Sequence, residues 1–149
     1  MNKNVKNLVF LAVGAVVSLA FLLMPAQIYE SVKYFDGGYS NELYNHGLYS
    51  VFAMIIVGIS WALSAIYYYV INSVKFDCWQ HWAIVLVVNV VAATVACWTY
   101  NQSTFNELGL SYGETSQMAL YHAIFSLVTF VIASYAMRWW SSNCRHSPV

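Results

Sequence analysis

Four long stretches of the chain contain no Asp, Glu, Lys or Arg: those between Lys6 and Glu30, Glu42 and Lys75, Asp77 and Glu107, and Glu114 and Arg138. A helix needs about 20 apolar residues to cross the roughly 30 Å hydrocarbon core of a bilayer, and each stretch is long enough. The runs are continuously apolar and do not alternate, which argues against the strands of a membrane barrel, whereas helices satisfy every backbone group inside lipid. These features predict an all-α integral membrane protein, one membrane domain over residues 1–149 built as a four-transmembrane-helix bundle. The helices are expected at about 8–28, 47–71, 79–100 and 118–140, with outer loops at about 29–46 and 101–117. Composition excludes a soluble alternative, because 60% of the residues are hydrophobic and 8% charged, against roughly 45–50% and about 25% in soluble domains. The formal net charge of zero leaves no basic footprint for nucleic acid.

Orientation follows from the Lys and Arg bias of the flanks, which favours the cytoplasm. Lys3, Lys6, Lys75, Arg138 and Arg145 fall on one predicted side, whereas Lys33 is the basic residue of the other. Both termini are therefore expected in the cytoplasm, and the membrane is expected to be the bacterial cytoplasmic (inner) membrane. The outer loops carry the acidic residues Glu30, Asp36, Glu42, Glu107 and Glu114. Trp79, Trp82, Trp139 and Trp140 fall near the inner boundary and Tyr29, Tyr44, Tyr49, Trp98 and Tyr100 near the outer one, where amphipathic rings prefer to sit. Lys3 and Lys6 ahead of an apolar run resemble a signal peptide, but the run is long and Met24-Pro25-Ala26-Gln27 fits a cleavage site poorly, so the segment is expected to stay. Pro25 should end or kink the first helix.

An ungapped match joins the second and fourth helices, His46 to Gly58 against His122 to Ser134, and an Asn-Glu-Leu triplet precedes each copy. The chain therefore reads as two tandem helical hairpins with a pseudo-two-fold axis along the membrane normal. The repeat places His46, Ser50, Ala53 and Val57 on one face and His122, Ser126, Thr129 and Ala133 on its equivalent. Small and weakly polar stripes of this kind are expected to face the bundle interior, because helices in lipid associate through close packing and hydrogen bonds. Helix three offers Asn89, Ala92 and Ala96, and helix one offers Gly14 and Ser18 at close-contact spacing.

His46 and His122, at equivalent depth in the repeat, are the candidate cofactor-binding pair, since facing helices can supply imidazoles to a haem b iron. The plain alternative is that each hydrogen-bonds a neighbour. No catalytic or metal-binding signature stands out in the sequence: there is no CxxC, no phosphate-binding glycine loop, no HExxH and no carboxylate within a span. Cys78, Cys97 and Cys144 are scattered. The expected function is a non-enzymatic membrane component, either an accessory or scaffold subunit or a protomer of an oligomeric pore. Its partners would be the lipid bilayer, copies of itself in a homo-oligomer, or other membrane proteins. The alternatives are a b-type haem or quinone electron-transfer protein using His46 and His122, and an immunity protein against a membrane-targeting toxin.

Overall fold

A computed structural model describes residues 3–33, 36–71, 73–76 and 78–141. Asp77, Cys144, Arg145 and His146 lie outside the described residues. Every regular element among the described residues is helical: α1 (Lys3–Leu23), α2 (Pro25–Val32), α3 (Gly37–Asn45), α4 (Leu48–Ala65), α5 (Trp79–Glu107) and α6 (Glu114–Met137). A π-helical segment (Ile66–Ile71) prolongs α4, and 3₁₀ turns follow at Val74–Phe76 and Arg138–Trp140. Four of these helical stretches are long and apolar enough to cross a membrane, namely Asn4–Leu23, Leu48–Ile71, Trp79–Glu107 and Glu114–Trp140. The chain is an integral membrane protein.

The first helix, expected over about 8–28 with Pro25 ending or kinking it, is divided at that point into two helices. The chain breaks at Met24 (φ −127°, ψ 48°), and Pro25 opens α2, where its missing N–H costs nothing because the first helical N–H groups have no partner. The outer loop expected at 29–46 is also mostly helical. Asp36 caps α3 by accepting from the Gly38 N–H at 3.2 Å, and Gly47, at φ +64°, turns the chain from α3 into α4. That backbone conformation is accessible to glycine at little cost. Helix α5 runs past its expected end near 100 to Glu107, and α6 begins at Glu114 rather than near 118.

Helix α6 is the hub, packing against α1, α4 and α5. Two apolar clusters fill the bundle. One joins Phe21, Tyr29, Tyr39, Phe52 and Phe105 at the end capped by α2 and α3, and the other joins Tyr67, Tyr68, Trp82, Phe130 and Met137 at the opposite end. There the π turn brings the neighbouring rings of Tyr67 and Tyr68 to 4.9 Å. Tyr67 donates to the Phe76 carbonyl at 2.9 Å and Tyr69 to that of Met137 at 3.1 Å, fastening the turn to α6.

The helix directions sort the charges. Lys6, Lys75 and Arg138 lie at one end of the bundle, and Glu30, Asp36, Glu42, Glu107 and Glu114 lie with Lys33 at the other. We refer to these as the basic and acidic ends. Between them, α5 exposes Ile84, Val87, Val88, Val91 and Val95, bounded by the exposed rings of Trp79 and Trp98. Such a face suits acyl chains, with the tryptophans at the headgroup levels.

Candidate functional site

The buried polar chemistry is concentrated at the acidic end, beneath the cap formed by α2 and α3. Helix α2 turns Tyr29 into the bundle, where it is fully buried, and its hydroxyl lies 3.0 Å from His122 Nδ1 on α6. With the hydroxyl donating to Nδ1, the ring proton of His122 sits on Nε2, a buried atom with no hydrogen-bond partner among the described residues. Aromatic rings surround the pair: Phe125 is 4.5 Å from Tyr29 between centroids, and Phe52 is 4.5 Å from the imidazole. Burial raises the Tyr29 pKa well above its ordinary value, with further contributions from Cys97 and Tyr49, so the phenol stays protonated.

Around this core the cap is fastened by charge. Lys33, with its side chain 1% exposed, pairs with Glu30 at 3.0 Å, and Tyr49 donates to the same Glu30 carboxylate. The Lys33 ammonium also bonds Ser40 and lies 5.4 Å from the centre of the Tyr49 ring. The Asp36 N–H donates to Glu114 at 3.1 Å, tying the start of α3 to the start of α6. Tyr39, fully buried, accepts from the Asn101 amide at 2.9 Å. Burial pushes the Tyr39 phenol up to about 12, with the Asn101 bond opposing and the Glu114 charge adding.

A polar seam continues through the bundle. The Ser126 carbonyl accepts from Asn89 on α5 at 3.1 Å and from Ser60 on α4 at 3.5 Å, so three helices meet at one main-chain oxygen. Closer to the basic end, Trp82 donates to Ser134 at 3.1 Å. On α1, Ser18 accepts from the Trp61 indole at 2.9 Å, and Gly14 packs directly against Ala136. Thr129 is buried and bonds the Phe125 carbonyl one turn back at 2.7 Å.

The positions that the ungapped sequence match pairs occupy unlike surroundings. His122 and Ser126 are buried, but His46 and Ser50 are exposed, so the stripe expected to bury them is corrected. His46 ends α3 and pairs with Glu42 at 3.2 Å on the surface of the cap. The reason is the cap itself: α3 delivers the chain to α4 through the Gly47 turn and leaves His46 outside, whereas His122 lies two turns inside α6. The inward face of α4 is instead Tyr49, Phe52, Ala53, Ile56, Ser60 and Ser64. On α5 the buried face is Asn89, Ala93, Cys97, Asn101 and Phe105, replacing the expected Asn89, Ala92 and Ala96. Glu107 stays exposed near Ser103. Tyr29, Lys33, Tyr39 and Asn101 are the functional candidates that sequence reasoning missed. Asn101 was within reach, since it continues the Asn89 face at four-residue spacing. Among the described residues no group of three His, Cys, Asp or Glu side chains is arranged to hold a metal ion. No family model, curated protein or solved structure matches the chain.

Proposed function

We propose that the protein is a non-enzymatic membrane component, an accessory or scaffold subunit or a protomer of an oligomeric pore, that acts through other membrane proteins or copies of itself. The observation that carries this reading is the cap. Helices α2 and α3 are pinned onto the bundle by Tyr29, Lys33 and Tyr39 and present Tyr44, 67% exposed, beside Asn45 and His46. A rigidly held, outward-facing tyrosine is a suitable anchor for a protein interface, because it brings large contact area at little entropic cost. In this reading the basic end faces the cytoplasm of a bacterial inner membrane and the cap faces outward. The two hairpins derive from one tandemly repeated unit with a pseudo-two-fold relation, and the cap inserted in the first accounts for the unlike burial of His46 and His122. Immunity against a membrane-targeting toxin is one form that such recognition takes.

The test is a photo-crosslinking amino acid at position 44 in intact membranes, with position 91 on the lipid-facing side of α5 as control. The reading expects a discrete protein adduct from position 44, at twice the monomer mass if the partner is a second copy. No protein adduct above the control would refute it. One observation bears on the alternative of a haem b site, namely the buried, unpartnered Nε2 of His122, whose lone pair would be available to iron in the tautomer with Nδ1–H donating to the Tyr29 hydroxyl. An absorption spectrum of the purified protein from haem-replete cells tests that reading. A Soret band lost in both His46→Ala and His122→Ala would establish it, and a colourless protein would exclude it.

A further inference from the structure

Helices α1 and α6 do not close fully against each other. Between them lies a groove of about 400 Å³ lined by Phe10, Val13, Gly14, Val17, Ile132 and Ala136. It continues past Val17 and Ile132 into a second cavity of about 250 Å³ that reaches Phe21 and Ile28. At Gly14 the missing side chain lets α1 touch Ala136 of α6, and the groove runs beside that contact, where Phe10 is drawn aside: its ring stacks on Trp139 at 5.1 Å and meets Tyr135 edge-on at 5.2 Å.

The chemistry of its mouth distinguishes this groove from ordinary lipid-facing relief. Lys6 lies one turn outside Phe10 and, at 3.6 residues per turn, falls on the same arc as Phe10, Val13 and Val17. Just past the end of α6, Arg138 holds its guanidinium 5.2 Å from the centre of the Trp139 ring, which itself stacks on the lining residue Phe10. Asn7 ties the two walls by donating to the Trp139 carbonyl at 3.4 Å. The Trp139 indole Nε1 is a buried donor with no partner among the described residues, and buried indole N–H groups ordinarily have one. All acidic side chains of the described residues lie at the opposite end.

We infer that this groove is a binding site for an anionic diacyl phospholipid in the leaflet at the basic end. One acyl chain lies along Val13, Gly14 and Val17, the phosphate sits between Lys6 and Arg138, and a headgroup or ester oxygen accepts from Trp139. Charge complementarity selects this occupant: an apolar trough with a cation beyond it on each flanking helix, Lys6 on α1 and Arg138 after α6, matches a hydrocarbon chain ending in an anion, and basic pockets between membrane helices bind such headgroups. A zwitterionic lipid offers the same tail without the net charge.

The experiment exchanges the intact, delipidated protein in mild detergent into equal phosphatidylglycerol and phosphatidylcholine of identical acyl chains and counts retained lipid by native mass spectrometry. Two interfacial cations correspond to a preference of about twenty-fivefold for phosphatidylglycerol, and Lys6→Gln should reduce it about fivefold. Val13→Trp, which fills the trough from an exposed position, should remove both lipids. Lys75→Gln, a cation at the same end on another connection, should leave the preference intact. Equal retention of the two lipids by the wild type would overturn the inference. So would a preference that survives in Lys6→Gln/Arg138→Gln, or one that Lys75→Gln lowers as much as Lys6→Gln does.

Discussion

Gly14→Ala should destabilise the protein, although adding a methyl group to a mid-helix glycine ordinarily stabilises a helix by about 1 kcal/mol. A Cβ built on Gly14 would lie 2.6 Å from Cβ of Ala136, while carbon atoms in contact prefer about 3.5–4.0 Å. Neither atom is the end of a flexible side chain, so relief requires α1 and α6 to separate locally by about 1 Å, a gap that forfeits a quarter to a half of each dispersion contact it opens. The contacts at risk flank the site: Phe10 against Tyr135 and Trp139, and Phe21 against Phe125. Overpacking of this kind costs about 1–3 kcal/mol, which outweighs the propensity gain. Ala136→Gly removes the opposing methyl, so the exchange Gly14→Ala/Ala136→Gly should recover most of the loss. Reversible unfolding from mild detergent by titration with dodecyl sulfate, followed by circular dichroism, reads all four states of the cycle. A Gly14→Ala variant as stable as wild type, or a double variant no better than the single one, would refute the close approach of these helices.

The same titration checks three further expectations. Tyr29→Phe leaves His122 Nδ1 buried without its partner and should cost about 1–3 kcal/mol, whereas His46→Ala breaks only a surface pair and should be silent; equal effects would contradict the unlike environments of the two imidazoles. Asn89→Leu removes a bond to the Ser126 carbonyl and should cost about 1 kcal/mol, within the range for interhelical hydrogen bonds in membranes. Tyr39 has an ordinary value of 10.0 when unfolded and about 12 when folded. Its contribution is therefore complete below pH 10 and is lost as pH rises through about 12, because the unfolded chain releases the proton first. Stability should fall over that alkaline window, and Tyr39→Phe should make the fall shallower; an unchanged slope would place Tyr39 in contact with water.

The apolar spans were legible because lipid imposes a one-dimensional rule on composition: a charge-free run long enough to cross is visible without knowing what it touches. Which face of a span points inward is a different matter. Helix α4 is apolar nearly all round, so periodicity could not separate Ser50, which is exposed, from Ser60 and Ser64, which are buried. The cap was the larger omission. Its helices are short, and what orders them is tertiary: Tyr29 reaching α6, Tyr39 reaching Asn101, and the Lys33 ammonium lying over the Tyr49 ring of α4. Those partners are distant in sequence or mixed in chemistry, and residues 29–46 read as a loop for that reason. His46 and His122 show the same limit, since a match between two stretches of sequence does not report the packing that each acquires.

The two exposed tryptophans of α5 set a length scale. At a rise of 1.5 Å per residue, Trp79 and Trp98 stand about 28 Å apart along the helix, close to the roughly 27 Å hydrocarbon thickness of thin internal membranes and several Å short of the roughly 32–33 Å of sterol-rich ones. In the thicker bilayer a helix already upright has no tilt left to give up, so either the lipid thins around the bundle or one indole sinks below the headgroups. With the two indoles at the headgroup levels, the spacing would act as a ruler that favours thin bilayers over thick ones.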